Sequence, residues 1–265
     1  MVELDLRSLA PEIGELLHDA RRDFKRMEPE MRDSVRESRI AGYRGLRKVQ
    51  GVDSRLAFSL RSGEVLTGDT APEVVHTDLH DELNRQIDAP PQFVRVQGYG
   101  SVFDVGYVMH DMFGPYVETM ERGAFDSSLE LGSSLRVQFL NSHQGLGLAS
   151  SESRRMAIGT DDIGLGFVAA LNPAESDAMD VISKLASGSS SRDTSVGGSI
   201  REVEWNDDYD HVRIKDWWMS RGEISAVHAG ANPAGFVVLR DESLKVKLAA
   251  VDVGQQRKLR RLSYA

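Results

Sequence analysis

Nucleophilic hydrolysis is the chemistry for which this chain offers a full set of side chains, drawn from three separate segments. His143 lies in Asn-Ser-His-Gln, directly after the strand-like run LRVQFL at 135–140, where a strand end can hold an imidazole at the rim of a sheet. Ser195 opens Ser-Val-Gly-Gly. Gly197 and Gly198 leave room for a peptide carbonyl to reach the hydroxyl and offer backbone N–H groups to a developing oxyanion. Glu223 begins EISAVH, where alternation puts Glu223, Ser225 and Val227 on one face and Ile224, Ala226 and His228 on the other. A carboxylate there would fix the tautomer of an imidazole and stabilise its cation, and an imidazole is the side chain that exchanges protons near neutral pH. A serine-rich chain also supplies rivals. Ser199 shares a face with Ser195 by parity, and His228 is an alternative third member of the set.

Other chemistries fit the residues less well. The chain has no Cys, which excludes a disulfide scaffold, a thiolate zinc site and a cysteine nucleophile. His76 and His80 stand four apart with Asp78 and Asp81 nearby, but HTDLH lacks the Glu of a metalloprotease helix, and exposed polar side chains explain the pair. Neither GxxxxGK[ST] nor a strand-linked GxGxxG occurs, and the GxG pairs at 145–147 and 164–166 read as turns or close backbone approaches. No metal or other cofactor is expected.

The elements that must position the set begin near Gln92. From there the sequence runs in short β-rich stretches at 93–103, 135–140, 163–171, 194–203, 211–219 and 223–228. The first of these carries glycines that suggest a bend or bulge. After Asn172-Pro173, Ala178, Val181, Ile182 and Leu185 recur at helical spacing. Gly123-Ala124-Phe125 reads as a turn anchored in the core by Phe125, and one of the adjacent Trp217 and Trp218 must face the core while the other faces a groove or interface. Upstream, apolar residues from Leu9 to Val35 step by three and four along one helix side, with a break or kink at Pro29. Residues from about Gly51 to Pro91 show no sustained period, and Ala89-Pro90-Pro91 forms a stiff boundary. The division is therefore a helical or irregular extension at 1–91, a mostly β domain at 92–240 and a basic tail at 241–265.

Length and charge bound the reading. The 265 residues hold 40% hydrophobic side chains, enough for a core, and a net charge of −9, which argues against a surface built for nucleic acid. No stretch of about 18 apolar residues is present and the N-terminal segment lacks a secretory signal pattern, so the expectation is a cytosolic protein without a membrane partner.

Taken in order, VQGYGSVFDV, ETMERGAFDSSL, VQFLNSHQGLGLA, DDIGLGFVAAL, TSVGGSI and RGEISAVHAGANPAGF resemble the blocks of the prohead maturation serine proteases of tailed bacteriophages, over residues 95–236. The resemblance implies an α+β, mostly β fold with an assemblin-like β-barrel core, as in herpesviruses, wrapped by helices. It carries the catalytic Ser and His onto Ser195 and His143 and matches Glu223 to the acidic residue of the closing motif. It further implies an endopeptidase that cuts phage scaffold and major capsid precursors inside the assembling prohead in the host cytoplasm, trims itself, needs no cofactor and leaves a homo-oligomer open. Three positions depart from the family pattern. Gln144 stands where Asp often follows the His, Gly198 replaces the usual Phe, and Arg-Gly precedes Glu223 where an apolar pair is usual. Two rival readings remain: a non-catalytic assembly protein that keeps the fold, and a Clp-like hydrolase. The second would need a GxSxA elbow entering a helix, whereas Ser195 enters a β-rich run.

Overall fold

The computed structural model describes residues 11–42, 45–46, 57–59, 65–66, 76–188, 192–228, 230, 232 and 234–240. The basic tail at 241–265 and most of the run GSSS at 188–191 lie outside them. Two helices come first, α1 (Pro11–Arg26) and α2 (Pro29–Gly42). Each starts on a proline, whose fixed φ and missing N–H suit the first helical position, so the interruption falls just before Pro29 as the sequence suggests. Ile13, Leu17, Phe24 and Val35 are buried, while Met31 of the expected stripe is 53% exposed.

Three short strands follow, β1 (Gly45–Leu46), β2 (Ala57–Ser59) and β3 (Val65–Leu66), and then α3 (Asp78–Gln86). The helix has little apolar surface beyond Leu79 and Leu83, which explains its weak sequence signal; these two pack with Ile87 on Ala157 and Val168. The main domain continues with β4 (Val94–Val102), β5 (Val105–Asp111), β6 (Gly114–Met120), α4 (Asp126–Leu129), β7 (Val137–Asn141), β8 (Gln144–Ser150), β9 (Met156–Thr160) and β10 (Gly164–Leu171). Then come α5 (Ser176–Ser187), β11 (Asp193–Trp205), β12 (His211–Val227) and β13 (Phe236–Leu239). All of β10 is buried, as its unbroken apolar run requires. The buried residues of α5 are Ala178, Val181, Ile182 and Leu185, the same four that its helical spacing picks out. The bulge suggested by the glycines of β4 lies at Gly100, which the register skips between Leu165↔Ser101 and Gly166↔Tyr99. Phe125 is fully buried after its turn, and Phe139 stacks on Phe167 at 5.5 Å between ring centroids.

The expected β-barrel core is not what the chain builds. Among the described residues the strands run β3-β2-β5-β6-β12-β11-β13-β4-β10-β9, and the end strands β3 and β9 do not pair, so the sheet stays open. The cause is visible in β12. This strand of 17 residues pairs in parallel with β6 through His211–Ile214 and again in parallel with β7 through Gly222–Ala226. The sheet therefore forks at β12, with β7 and β8 as a side branch, instead of returning to its first strand. No helix among the described residues is long and apolar enough to cross a membrane.

Candidate active site

His143 sits at the tip of the β7–β8 hairpin. Asn141 pairs with Gln144, leaving Ser142 and His143 as a two-residue loop with φ of 54° and 59°. Two consecutive residues at positive φ are what a type I′ hairpin turn demands, normally with Asn or Gly, and an L side chain there costs about 1–2 kcal/mol. Three bonds hold the tip: Ser142 N–H to Ala226 O at 2.9 Å, His143 N–H to Ser225 Oγ at 3.3 Å, and Asn141 Nδ2 to Asp180 Oδ2 of α5 at 3.2 Å. Ser225 thus has a positioning contact that no local motif announced. Strain retained at an exposed turn points to a task for the side chain.

That side chain reaches a carboxylate. Nδ1 of His143 lies 2.5 Å from Oε1 of Glu223, with the two side chains 33% and 22% exposed. A carboxylate can only accept, so Nδ1 carries a proton in this pair, and in the neutral imidazole Nε2 is then the acceptor. Glu223 and Ser225 lie on the same face of β12, as the alternation in EISAVH predicts, and they stand opposite Gly197 and Ser195 of β11. His228 is placed differently: it lies near Asp193, whose carboxyl is pushed up by burial and drawn partly back by the Gly230 N–H and by His228.

Ser195 is directly across the ladder from Ser225 and is 4% exposed. Its Oγ is buried with no hydrogen-bond partner, so it makes no bond to His143 in this structure. Leaving a buried hydroxyl unpaired costs about 1–3 kcal/mol, so the group calls for an explanation. Ser199 lies beyond an irregularity, opposite Trp218.

The two glycines after Ser195 have uses beyond those the sequence suggests. A Cβ on Gly197 would stand 2.7 Å from Glu223 Cγ and 3.0 Å from its Oε1, so the missing side chain is the space in which the carboxylate lies. The register steps from Gly197↔Glu223 to Ser199↔Trp218 and skips Gly198, while β12 bulges out through Arg221 at φ 65°. A Cβ on Gly198 would stand 2.4 Å from Trp217 Nε1 and 2.6 Å from Trp218 O. Trp217 is the core member of the tryptophan pair, and the Arg201 guanidinium lies 3.4 Å over the Trp218 ring. The indole of Trp217 therefore fills the room in which a larger side chain at position 198 would begin. Because the Trp218 carbonyl belongs to the backbone and cannot swing away, Gly198→Ala should cost about 2 kcal/mol and lower the melting temperature by about 4–8 °C. Thermal denaturation checks this, and an unchanged midpoint would show that the bulge adapts freely.

The histidine pair at 76 and 80 has structural employment. His80 is buried with Nε2 3.1 Å from Gly98 O and Nδ1 3.0 Å from Thr77 Oγ1, and burial pushes its pKa down. His76 pairs with Asp81 at 3.1 Å. Among the described residues no cluster of three or more His, Asp and Glu could hold a metal ion.

The His143–Glu223 pair lies on the face of β12 that looks across to Ser195 of β11, and a serine, a histidine and an acid are the residue types that nucleophilic hydrolysis uses. Comparison with known families narrows the class: the chain belongs to the Caudovirus prohead serine proteases, whose family model matches residues 82–248. No curated protein and no solved structure matches the chain.

Proposed function

We propose that this protease is the endopeptidase that cuts scaffold and major capsid precursors inside the immature phage shell and also trims itself, with Ser195 as nucleophile, His143 as base and Glu223 as the group that orients His143. The observation that supports it most is the His143–Glu223 bond on the same face as the unpaired Ser195 hydroxyl. When a substrate peptide binds, Nε2 of His143 takes the proton from Ser195 Oγ while the oxygen attacks the scissile carbonyl carbon. Catalytic hydrogen bonds often close only in the complex, so a hydroxyl unbonded at rest is compatible with this step. Glu223 stabilises the imidazolium that forms. The charge on the tetrahedral oxygen falls to backbone N–H groups near Gly197 and Gly198, of which Gly198 is the one the ladder register leaves out. The imidazolium then protonates the departing amine, and water, activated by the same His143, releases the acyl group and restores the hydroxyl.

Residues 92–240 are the protease domain proper on this reading, with α3 of the extension packed on its outer strands and the tail at 241–265 available for docking. The test is Ser195→Ala produced beside wild type with scaffold and capsid precursors. Processing should fall to background, a loss on the order of 10⁴-fold or more, scored by gels and mass spectrometry. Identical processing in both would instead make the chain a non-catalytic assembly component.

A further inference from the structure

The ladder that carries the His143–Glu223 pair continues outward into β7 and β8. Glu223 of β12 stands beside Gln138 of β7, and Gln138 stands opposite Ser150 of β8. Residues side by side in a sheet project from the same face, so Gln138 and Ser150 extend the face that holds Glu223. A cleft of about 230 Å³ lies there, lined by Arg136, Val137, Gln138, Gly147, Ser150 and Glu152. A second cleft, of about 590 Å³, shares Arg136 and Glu152 with the first and has the buried side chains of Leu135, Met156 and Ala157 in its wall. β7 is two strand spacings from β11, so Gln138 lies roughly 10 Å from Gly197 and about 12 Å from Ser195. An extended peptide covers that reach in about three or four residues.

The nearer cleft offers both hydrogen-bond donors and acceptors. The Gln138 amide lies over Gly147, where a Cβ would stand 2.5 Å from its Oε1, so the glycine leaves the amide its place on the cleft wall. Arg136 Nε lies 3.5 Å from Glu152 Oε1, and Arg136 Nη1 donates to Ser133 O at 3.2 Å. Both members of that ion pair are exposed, so the pair contributes little to folding and its ends are free to turn to a ligand. Ser150 Oγ donates to Ser153 Oγ at 2.9 Å and accepts from Ser153 N–H at 3.1 Å. A cation and an anion on one small cleft select against a charged occupant of either sign. A carboxamide suits both: its oxygen accepts from Arg136, and its NH₂ donates to Glu152 and to Gln138 Oε1. A hydroxymethyl group has the same two roles but would leave most of the cleft empty.

We propose that the cleft beside Gln138 is a substrate subsite that takes a carboxamide side chain, Gln or Asn, about three or four residues from the scissile bond, and that the larger cleft receives an apolar side chain next to it. The inference rests on the protease reading above, which supplies the bond to be cut. His143 and Glu223 serve the chemistry, while Arg136, Gln138 and Glu152 select the sequence. Replacing Glu152 by a cation turns the preference. With that acceptor gone and two positive charges on the cleft, a carboxylate becomes the better occupant.

The test digests scaffold and capsid precursors with the full chain as wild type, as Glu152→Lys and as Gln138→Leu, and maps the cut sites by mass spectrometry. In the wild-type digest Gln and Asn should be enriched about fivefold or more at about the third or fourth residue on one side of the cut. Glu152→Lys, a change at an exposed position, should shift the ratio of carboxylate to carboxamide there by about tenfold. Gln138→Leu should remove the carboxamide enrichment without adding a carboxylate one. The same profile from wild type and both variants overturns the proposal. A second readout needs no catalysis. Random octapeptides are selected on immobilised Ser195→Ala and on Ser195→Ala/Glu152→Lys and sequenced by mass spectrometry. Carboxamide-bearing peptides on the first and carboxylate-bearing peptides on the second support the subsite, and identical pools overturn it. If the pools differ while no Ser195-dependent cutting of the precursors is found, the subsite stands and the protease reading falls. If cutting depends on Ser195 while pools and digests are identical, the protease reading stands and the subsite falls.

Discussion

His143→Ala and His143→Gly are both expected to abolish proteolysis, and the glycine variant should be the more stable of the two by about 1 kcal/mol. The expected activity loss, on the order of 10⁴–10⁶-fold, follows from the proposed role of His143 as the group that takes the serine proton. The stability difference follows from the backbone. At φ 59° an alanine Cβ crowds its own carbonyl as the histidine does, whereas glycine adopts the same geometry freely. Both variants lose the bond to Glu223 equally, so that term cancels in the comparison. The gain is partly offset because glycine also has more freedom to lose from the unfolded chain. Urea unfolding of the pair reads the difference directly. An alanine variant as stable as the glycine one would show that the hairpin tip is not strained, and retained cleavage in either would remove His143 from the chemistry. On the proposed mechanism, Ser142 and His143 are a place where fold stability is given up to hold a side chain at a hairpin tip.

What could be read from the sequence depended on how local the physics is. Alternation along EISAVH is a property of a few neighbouring residues, and it put Glu223 and Ser225 on one face, where the structure has them. Spacing within α5 is equally local, and the four apolar residues that it singles out, Ala178, Val181, Ile182 and Leu185, are the ones that are buried. The joining of HVRIKDWWM and EISAVH into one 17-residue strand was not legible. Arg221-Gly222 looks like a break in sequence; in the structure it is a bulge opposite Gly198, through which pairing with β11 continues. The open sheet was hidden for a related reason. Whether β12 meets β6, β7 or a closing strand depends on contacts between segments some 80 or more residues apart, such as Glu223↔Gln138 and His211↔Val117, and parallel pairing of this kind has no turn signal to betray it. The use of Gly197 as space for the carboxylate was missed because the glycine and the acid approach only across the ladder.

Glu223→Gln should lower kcat by about 10²–10⁴-fold, change KM by less than about threefold and leave the unfolding free energy within about 1 kcal/mol. The shape is kept, and an amide oxygen can still accept from Nδ1. Two things are lost. The neutral amide no longer stabilises the imidazolium, and when its NH₂ group faces His143 it favours the tautomer with the proton on Nε2, which cannot accept from Ser195. The stability change is small because both partners are partly solvated, 33% and 22% exposed, so the pair contributes little to folding. Gly197→Ala provides a matched control that keeps the charge. Its Cβ, 2.7 Å from Glu223 Cγ, forces the carboxylate away from His143 and should reproduce most of the kcat loss. If Gly197→Ala cripples turnover while Glu223→Gln does not, the glycine acts through the strand and not through the acid. If both variants turn over at the wild-type rate, the orienting role passes from Glu223 to another group, and His228→Ala, at the residue that lies near Asp193, becomes the decisive measurement.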